Sequence, residues 1–440
     1  MQHKQELEEF TSLTGVIDNE TVQNFYLDKF AEMHPEALVV DDDISIDDIC
    51  KKYVTEHKTH HTAFFISASD YLIQYKYWYQ TFKIIQPYYA IKCNPQDTIA
   101  DLMSTFPNMC FDCASPGEIA TVLKRGVPEN HIIYANTIKS PDNIRYFRDH
   151  NVWCSTVDCE EEVEKMYNIL GDDFKKCKLV VRTWVDDSHS SNPLGSKFGA
   201  QLDEMPGVIN KIKEYGGSIV GVSFHVGSGC HDSIAYKGAL ESVRMIFDMC
   251  AKVGYSPRMI DLGGGWSGIL PSEDPQELPG RAEVVMKTLK ECQFNKDELM
   301  LISEPGRYFN DHSITLVAPI VNVKHYPNNK VLYTLGEGIF GGFKEHFLSD
   351  IEYSVEVLTQ TKHDSTLYNS DIIGPSGHIK DVLKTNVQLP LLTPGDLTIW
   401  KNMGAYTMSE SSKYARETQD YIFYIRKSSL SPEYCAKHNL

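Results

Sequence analysis

KIIQPYYAIKCNPQDTIADLMSTFPNMCFDCAS, residues 83–115, is the stretch on which the fold turns. It opens on an apolar run that ends in Lys92, and TIADLMSTF then carries apolar residues at helical spacing. It closes on a second apolar run, MCFDCAS. Strand, helix, strand in this order is a parallel crossover unit. The unit repeats. HIIYAN, VWCSTVD, KLVVRTW, SIVGVSFHVG, RMIDLGGG and LMLISEPGR supply further strands. GEIATVLKRG, SPDNIRYFRDH, EEEVEKMYNIL, MPGVINKIKEYGG, YKGALESVRMIFDMCAKVG and RAEVVMKTLKEC supply helical spacing between them. Several of these have Ser, Asp or Pro near the start and Gly past the end, as helix termini do. Eight strands with seven intervening helices predict an α/β chain closed into a (β/α)8 TIM barrel over 68–311, rather than an open doubly wound sheet.

The texture changes after residue 311. ITLVAPIVNV, KVLYTLG, DLTIWKN and DYIFYIR are strands with turn-rich connectors. They predict a second, antiparallel β domain over 312–440, joined by residues 36–67, where TAFFIS reads as a strand. Residues 1–35 are polar and acidic and read as a flexible arm.

Composition excludes several classes. The chain has 440 residues, 42% hydrophobic and 23% charged, as in a globular enzyme. A formal charge of -18 argues against a nucleic-acid partner. No apolar run approaches the ~20 residues of a membrane helix, and the N-terminus lacks the pattern of a secretory signal. Eleven cysteines, without the paired CxxC motifs of a zinc site, read as reduced thiols in a cytoplasmic protein with no metal.

In such a barrel the chemistry sits at the C-terminal ends of the strands. Those ends carry Lys92, Asp112, Arg182, His225 with Ser228, the run Gly263–Gly265, and Glu304, Pro305, Gly306 and Arg307. Each is ordinary alone: a solvated lysine, a loop of glycines, a core histidine, a surface pair. Around one rim they match the needs of pyridoxal 5'-phosphate. That cofactor takes a lysine amine for a Schiff base, a phosphate cradle, a group facing its ring and a partner for the pyridine nitrogen. A glycine run lets backbone N–H groups approach a phosphate closely.

YYAIKCN, CFDCASPGEI, IIYAN, VGVSFHVGSGC, DLGGGW, SEPGRYF and NMGAYT resemble the eukaryotic ornithine decarboxylases, fold-type III pyridoxal-phosphate enzymes of polyamine biosynthesis, from about residue 36 to 425. The resemblance implies that Lys92 carries the cofactor and His225 stacks on its ring. It implies that Ser228, Gly264, Gly265, Arg307 and Tyr406 hold the phosphate, that Glu304 binds the pyridine nitrogen beside Pro305 and Gly306, and that Asp112, Glu118 and Arg182 support them. It also implies a head-to-tail homodimer with shared active sites, bridged by Lys197 and Asp381, and a substrate pocket at Gly336, Glu337 and residue 378.

The chain departs from that family in DIIGPSGHIKD, residues 371–381. Gly374, Pro375 and Asp381 match, but Gly377 and His378 stand where the family carries Cys and then Asp. Glu337 replaces a second Asp. In the family that Cys delivers a proton to the product carbon, and the two Asp residues read the substrate's distal amine. Glycine has no side chain to donate. An imidazole, with an unperturbed pKa of about 6.5, can donate instead. Retention of the cofactor residues predicts a decarboxylase of an L-amino acid, giving an amine and CO2, with altered specificity. The alternative is an inactive regulatory protein like the related antizyme inhibitors, with an antizyme-like partner.

Overall fold

The computed structural model describes all residues except 1–18, 296–297, 350, 360, 362–365, 413 and 415–417. The described chain forms two compact units. One holds Gln74–Tyr308 with a short helix, Asn19–Gln23; the other holds Tyr26–Ile73 and Phe309–Leu440.

The first unit is the barrel. Its strands are Ile85–Ala90, Cys110–Cys113, Ile132–Tyr134, Cys154–Val157, Lys178–Arg182, Ser218–Ser223, Met259–Asp261 and Met300–Ser303. All pair in parallel and in sequence order, and the eighth returns to the first. Helices cover the outside, so strands such as Ile85–Ala90 are buried along their whole length. Tyr88, Cys110, Ile133, Val180, Met259 and Ile302 share one apolar cluster, each from a different strand.

The connecting helices are those the spacing predicts: Asp97–Thr105, Pro116–Leu123, Pro141–Asp149, Glu160–Leu170, Met205–Glu214, Ile234–Lys252 and Glu277–Glu291. Their starts are chemically marked. Ser115 and Ser140 each accept a backbone N–H from the residue three positions on, with proline following at the first helical position.

The second unit is a nine-stranded sheet built around Ile314–Tyr326, which pairs antiparallel with Thr62–Ser67, Lys330–Leu335 and Leu397–Trp400. The sheet is mixed rather than purely antiparallel. Gln419–Arg426 pairs in parallel with both Leu38–Val40 and Thr62–Ser67, and Lys330–Leu335 pairs in parallel with Leu367–Ile373. Antiparallel pairs still predominate. Ile49, Val54, Phe65, Val317, Ile399 and Ile422 make up much of its core.

The N-terminal expectation needs correction. Residues 1–18 lie outside the described residues, but 19–35 are not a loose arm. Asp28–Met33 is helical, and Phe30 and Ala31 are buried. Leu27 donates its N–H to Ser429 O at 2.9 Å, and the Asp28 carboxylate accepts from Ser431 N and Oγ at 2.9 and 2.5 Å.

Candidate active site

The first barrel strand ends at Ala90 and tightens into a 3-10 turn, Ile91–Cys93, that presents Lys92. Strand register places Asp112 beside Ala90, two residues from that lysine. Lys92 Nζ lies 2.5 Å from Asp112 Oδ2. The carboxylate is fully buried and the lysine side chain about one-third exposed (32%), so the amine faces an opening while its counterion does not. Among the described residues, Asp112 Oδ1 is buried without a hydrogen-bond partner.

Around the rim, the fifth strand ends in Arg182, whose guanidinium lies 5.1 Å over the Phe198 ring. His225 follows the sixth strand. Its Nδ1 accepts the Gly227 N–H at 3.0 Å, which leaves the proton of the neutral ring on Nε2. Withdrawal from water holds its pKa well below the usual imidazole value, and the charges of Arg182 and Lys92 push the same way.

The glycine run after the seventh strand wraps this imidazole. Gly263 has φ +61°, and a Cβ there would lie 2.2 Å from Phe224 O. A Cβ on Gly264 would lie 2.8 Å from His225 Nε2. Only glycine brings backbone this close. Beside the run, Arg307 donates from Nη2 to Ser228 Oγ at 3.2 Å. Ser228 sits on an antiparallel ribbon, Ser190–Asn192 with Ser228–Cys230.

Glu304 follows the eighth strand and is 8% exposed. Burial raises its pKa well above the usual carboxylate range, Asp112 and Asp261 raise it further, and Lys92 opposes them. Asp261, which ends the seventh strand, is pushed up to about 6, first by burial. The next residues pack closely: Pro305 O accepts from Ala90 N at 3.3 Å, and a Cβ on Gly306 would lie 2.9 Å from Cys93 Cβ. Glu118 is taken up locally, accepting from Ala114 N at 2.7 Å and from Ser115 Oγ at 3.0 Å.

The barrel thus gathers Lys92, Asp112, Arg182, His225, Ser228, Gly264, Gly265, Glu304 and Arg307 at its C-terminal rim. Sequence reasoning passed over Asp261 and Ser223. Both are buried there, and Ser223 Oγ has no hydrogen-bond partner among the described residues. The rule that flagged Asp112, a polar side chain ending a barrel strand, would have found them.

The remaining expected residues belong to the second unit. Tyr406 has φ +58°, an uncommon backbone conformation for a bulky side chain. Gly336 packs against Pro319, to whose carbonyl it donates at 2.8 Å. Glu337 is fully buried. Its Oε1 accepts from Gly338 N at 3.1 Å and Gly342 N at 3.0 Å, and its Oε2 accepts from Gln419 Nε2. Asp381 is also buried, accepting from Ile339 N at 3.0 Å and Ser376 Oγ at 2.5 Å. His378 is exposed, edge-on to Phe340 with ring centroids 5.7 Å apart. Lys197, in the barrel unit, is exposed.

Residues 70–311 match the family described as pyridoxal-dependent decarboxylase, pyridoxal binding domain. The chain belongs to the pyridoxal-dependent decarboxylases of the ornithine decarboxylase type. It is 32% identical over 373 residues to a probable ornithine decarboxylase of Dictyostelium discoideum, covering 81% of this chain and 78% of that one. It is 31% identical over 352 residues to antizyme inhibitor 2 of Xenopus laevis, covering 77% and 75%.

Among solved structures, the arginine decarboxylase of Paramecium bursaria Chlorella virus superposes with TM-score 0.81 at 27% identity, over 86% of this chain and all (100%) of the other. A lysine decarboxylase of Selenomonas ruminantium superposes with TM-score 0.76 at 25% identity, over 91% and 100%. The cofactor is pyridoxal 5'-phosphate. The rim fits it: a lysine amine, a glycine turn that admits no Cβ, and buried oxygens of Asp112 and Ser223 that lack partners among the described residues. No helix among the described residues is long and apolar enough to cross a membrane.

Proposed function

We propose that this chain decarboxylates an L-amino acid, releasing CO2 and an amine, and that it is a poor ornithine decarboxylase. The observation that carries the reading is the Lys92–Asp112 pair, 2.5 Å apart, on a rim shared with His225 and Glu304. The bound cofactor supplies an electron sink for the bond to the departing carboxylate. The chain's own residues do the rest.

Lys92 provides the attachment amine, and buried Asp112 holds that amine in place. Glu304 keeps a proton on its carboxyl for the ring nitrogen. Pro305 and Gly306 fix its loop against the first strand. His225, kept neutral, offers a flat ring face. Ser228, Gly264, Gly265, Arg307 and Tyr406 bind the phosphate oxygens, with Asp112, Glu118 and Arg182 supporting the charge balance.

Gly336, Glu337 and His378 line the substrate pocket, and His378 delivers the proton to the product carbon. Two family carboxylates have become one carboxylate and one imidazole, so the pull on a cationic substrate end is weaker. The active form is a homodimer with shared sites, in which Lys197 and Asp381 face each other across the interface. A screen of CO2 release across basic, neutral and aromatic L-amino acids tests the reading. Turnover of one of them above ornithine is expected. Efficient ornithine turnover with nothing better contradicts the specificity. No turnover at all, with tight binding to an antizyme-like protein, supports the regulatory alternative.

A further inference from the structure

Asp261 is a buried carboxyl that the proposed function leaves unused. Its Oδ1 accepts the Gly263 N–H at 2.9 Å, which shapes the first turn of the glycine run. The carbonyl of Gly263 in turn receives the Glu304 N–H at 2.9 Å, Ser303 Oγ at 2.6 Å and Trp266 Nε1 at 3.3 Å. One side chain therefore fixes the turn from which the Glu304 backbone hangs. The second oxygen, Oδ2, is buried and has no partner in ordinary hydrogen-bond geometry among the described residues. The acid carried on that turn is Glu304, whose N–H the Gly263 carbonyl accepts, and the two carboxyls affect each other's ionisation.

The surroundings explain why a proton should stay between them. Asp112 adds a third carboxylate, while Lys92 and Arg182 supply two cations. His225, held neutral, adds none. Three ionised carboxyls against two cations would leave an uncompensated buried charge, which is costly. One retained proton removes it.

We propose that Asp261 is a positioning residue for Glu304: its Oδ2 takes the hydrogen of the Glu304 carboxyl, while its Oδ1 anchors the turn that carries Glu304. Glu304 is then held in one orientation with a proton ready for a basic ring nitrogen. The step balances, since the proton passes from Glu304 to that nitrogen and the pair becomes two carboxylates beside the new cation. This rests on the proposed function for its purpose but not for its geometry.

The test uses the full-length chain and Asp261→Asn, which keeps an acceptor for Gly263 N–H where Asp261→Ala could lose the fold. Infrared spectroscopy across pH reads the carboxylic-acid band of Glu304, identified by its loss in Glu304→Gln. In Asp261→Asn the midpoint of that band should fall by about one pH unit or more, because a like charge has been removed. In the cofactor-loaded protein, kcat should fall roughly ten- to hundredfold, as for outer-shell partners at metal sites, with KM nearly unchanged. Asp261→Glu should recover part of the loss.

An unchanged band midpoint in Asp261→Asn overturns the proposal. So does an unchanged kcat with the band shifted, since the pair would then be structural only. If the wild-type chain takes up no pyridoxal phosphate, the proposed function falls. The band titration of the free chain still decides whether Asp261 holds Glu304.

Discussion

Replacing Gly264 by alanine adds one methyl at a crowded point of the rim, directly against His225. That Cβ would lie 2.8 Å from His225 Nε2, 3.3 Å from His225 Cε1 and 3.1 Å from Glu304 O. Comfortable heavy-atom contacts begin at about 3.5 Å, so the ring must retreat by roughly 0.7 Å. The Glu304 carbonyl is backbone and cannot yield alone. Any retreat of the imidazole moves it from the position in which, under the proposed function, its face meets the cofactor ring.

Overpacking of this kind costs about 1–3 kcal/mol, which corresponds to roughly five- to 150-fold weaker cofactor binding. The assay is titration of the cofactor-depleted chain with pyridoxal phosphate, followed by the visible absorbance of the bound form. Gly238→Ala is the control. Its Cβ meets nothing within 4 Å, inside the helix Ile234–Lys252, and should leave affinity unchanged. Wild-type affinity in Gly264→Ala would refute the placement of the cofactor against His225.

Four further outcomes follow from the same geometry. Asp112→Ala removes the fully buried partner of Lys92 and should weaken retention of the cofactor at least tenfold, measured by dialysis and residual absorbance; equal retention would contradict the pairing. His378→Ala should raise the ratio of aldehyde to amine product or stall turnover, and an unchanged product ratio and rate would assign the proton to another group. Because the folded-state pKa of His225 is depressed, its contribution to stability is present above about pH 6.5 and is lost as pH falls below that value. His225→Asn should therefore flatten the acid side of a denaturant-midpoint profile of the cofactor-free chain, and an identical profile would contradict a ring held neutral by the fold. Asp261 has the opposite sign: its raised pKa means stability is lost as pH climbs from 3.8 through about 6, and Asp261→Asn should remove that loss.

The barrel was legible because each of its strands is an apolar run bounded by helical spacing, and burial on both faces leaves no alternation to confuse the period. The rim was legible for the same reason: a lysine or glutamate ending such a run stands out. Asp261 does not, because the glycine run two residues on is the more conspicuous feature. In the second unit, Leu367–Ile373 and Val382–Pro390 were missed because they are half exposed, and Leu38–Val40 because it has only three residues. Their local composition resembles loop. Parallel pairing of Gln419–Arg426 with two neighbours is set by tertiary packing, which no local window records. The helix Asp28–Met33 escaped because Phe30 and Ala31 alone mark its buried face in a polar stretch. Glu337 shows a different limit: sequence names a carboxylate but not that Gly338, Gly342 and Gln419 take it up.

Borohydride reduction of the cofactor-loaded chain, followed by peptide mass spectrometry, tests the central claim most directly. The account predicts one modified lysine, Lys92, and no modification in Lys92→Ala. Lys139 is the informative rival, a fully buried barrel amine whose pKa is lowered to about 8 and which lies 3.6 Å from Glu162. Label on Lys139, or none on Lys92, would contradict the account.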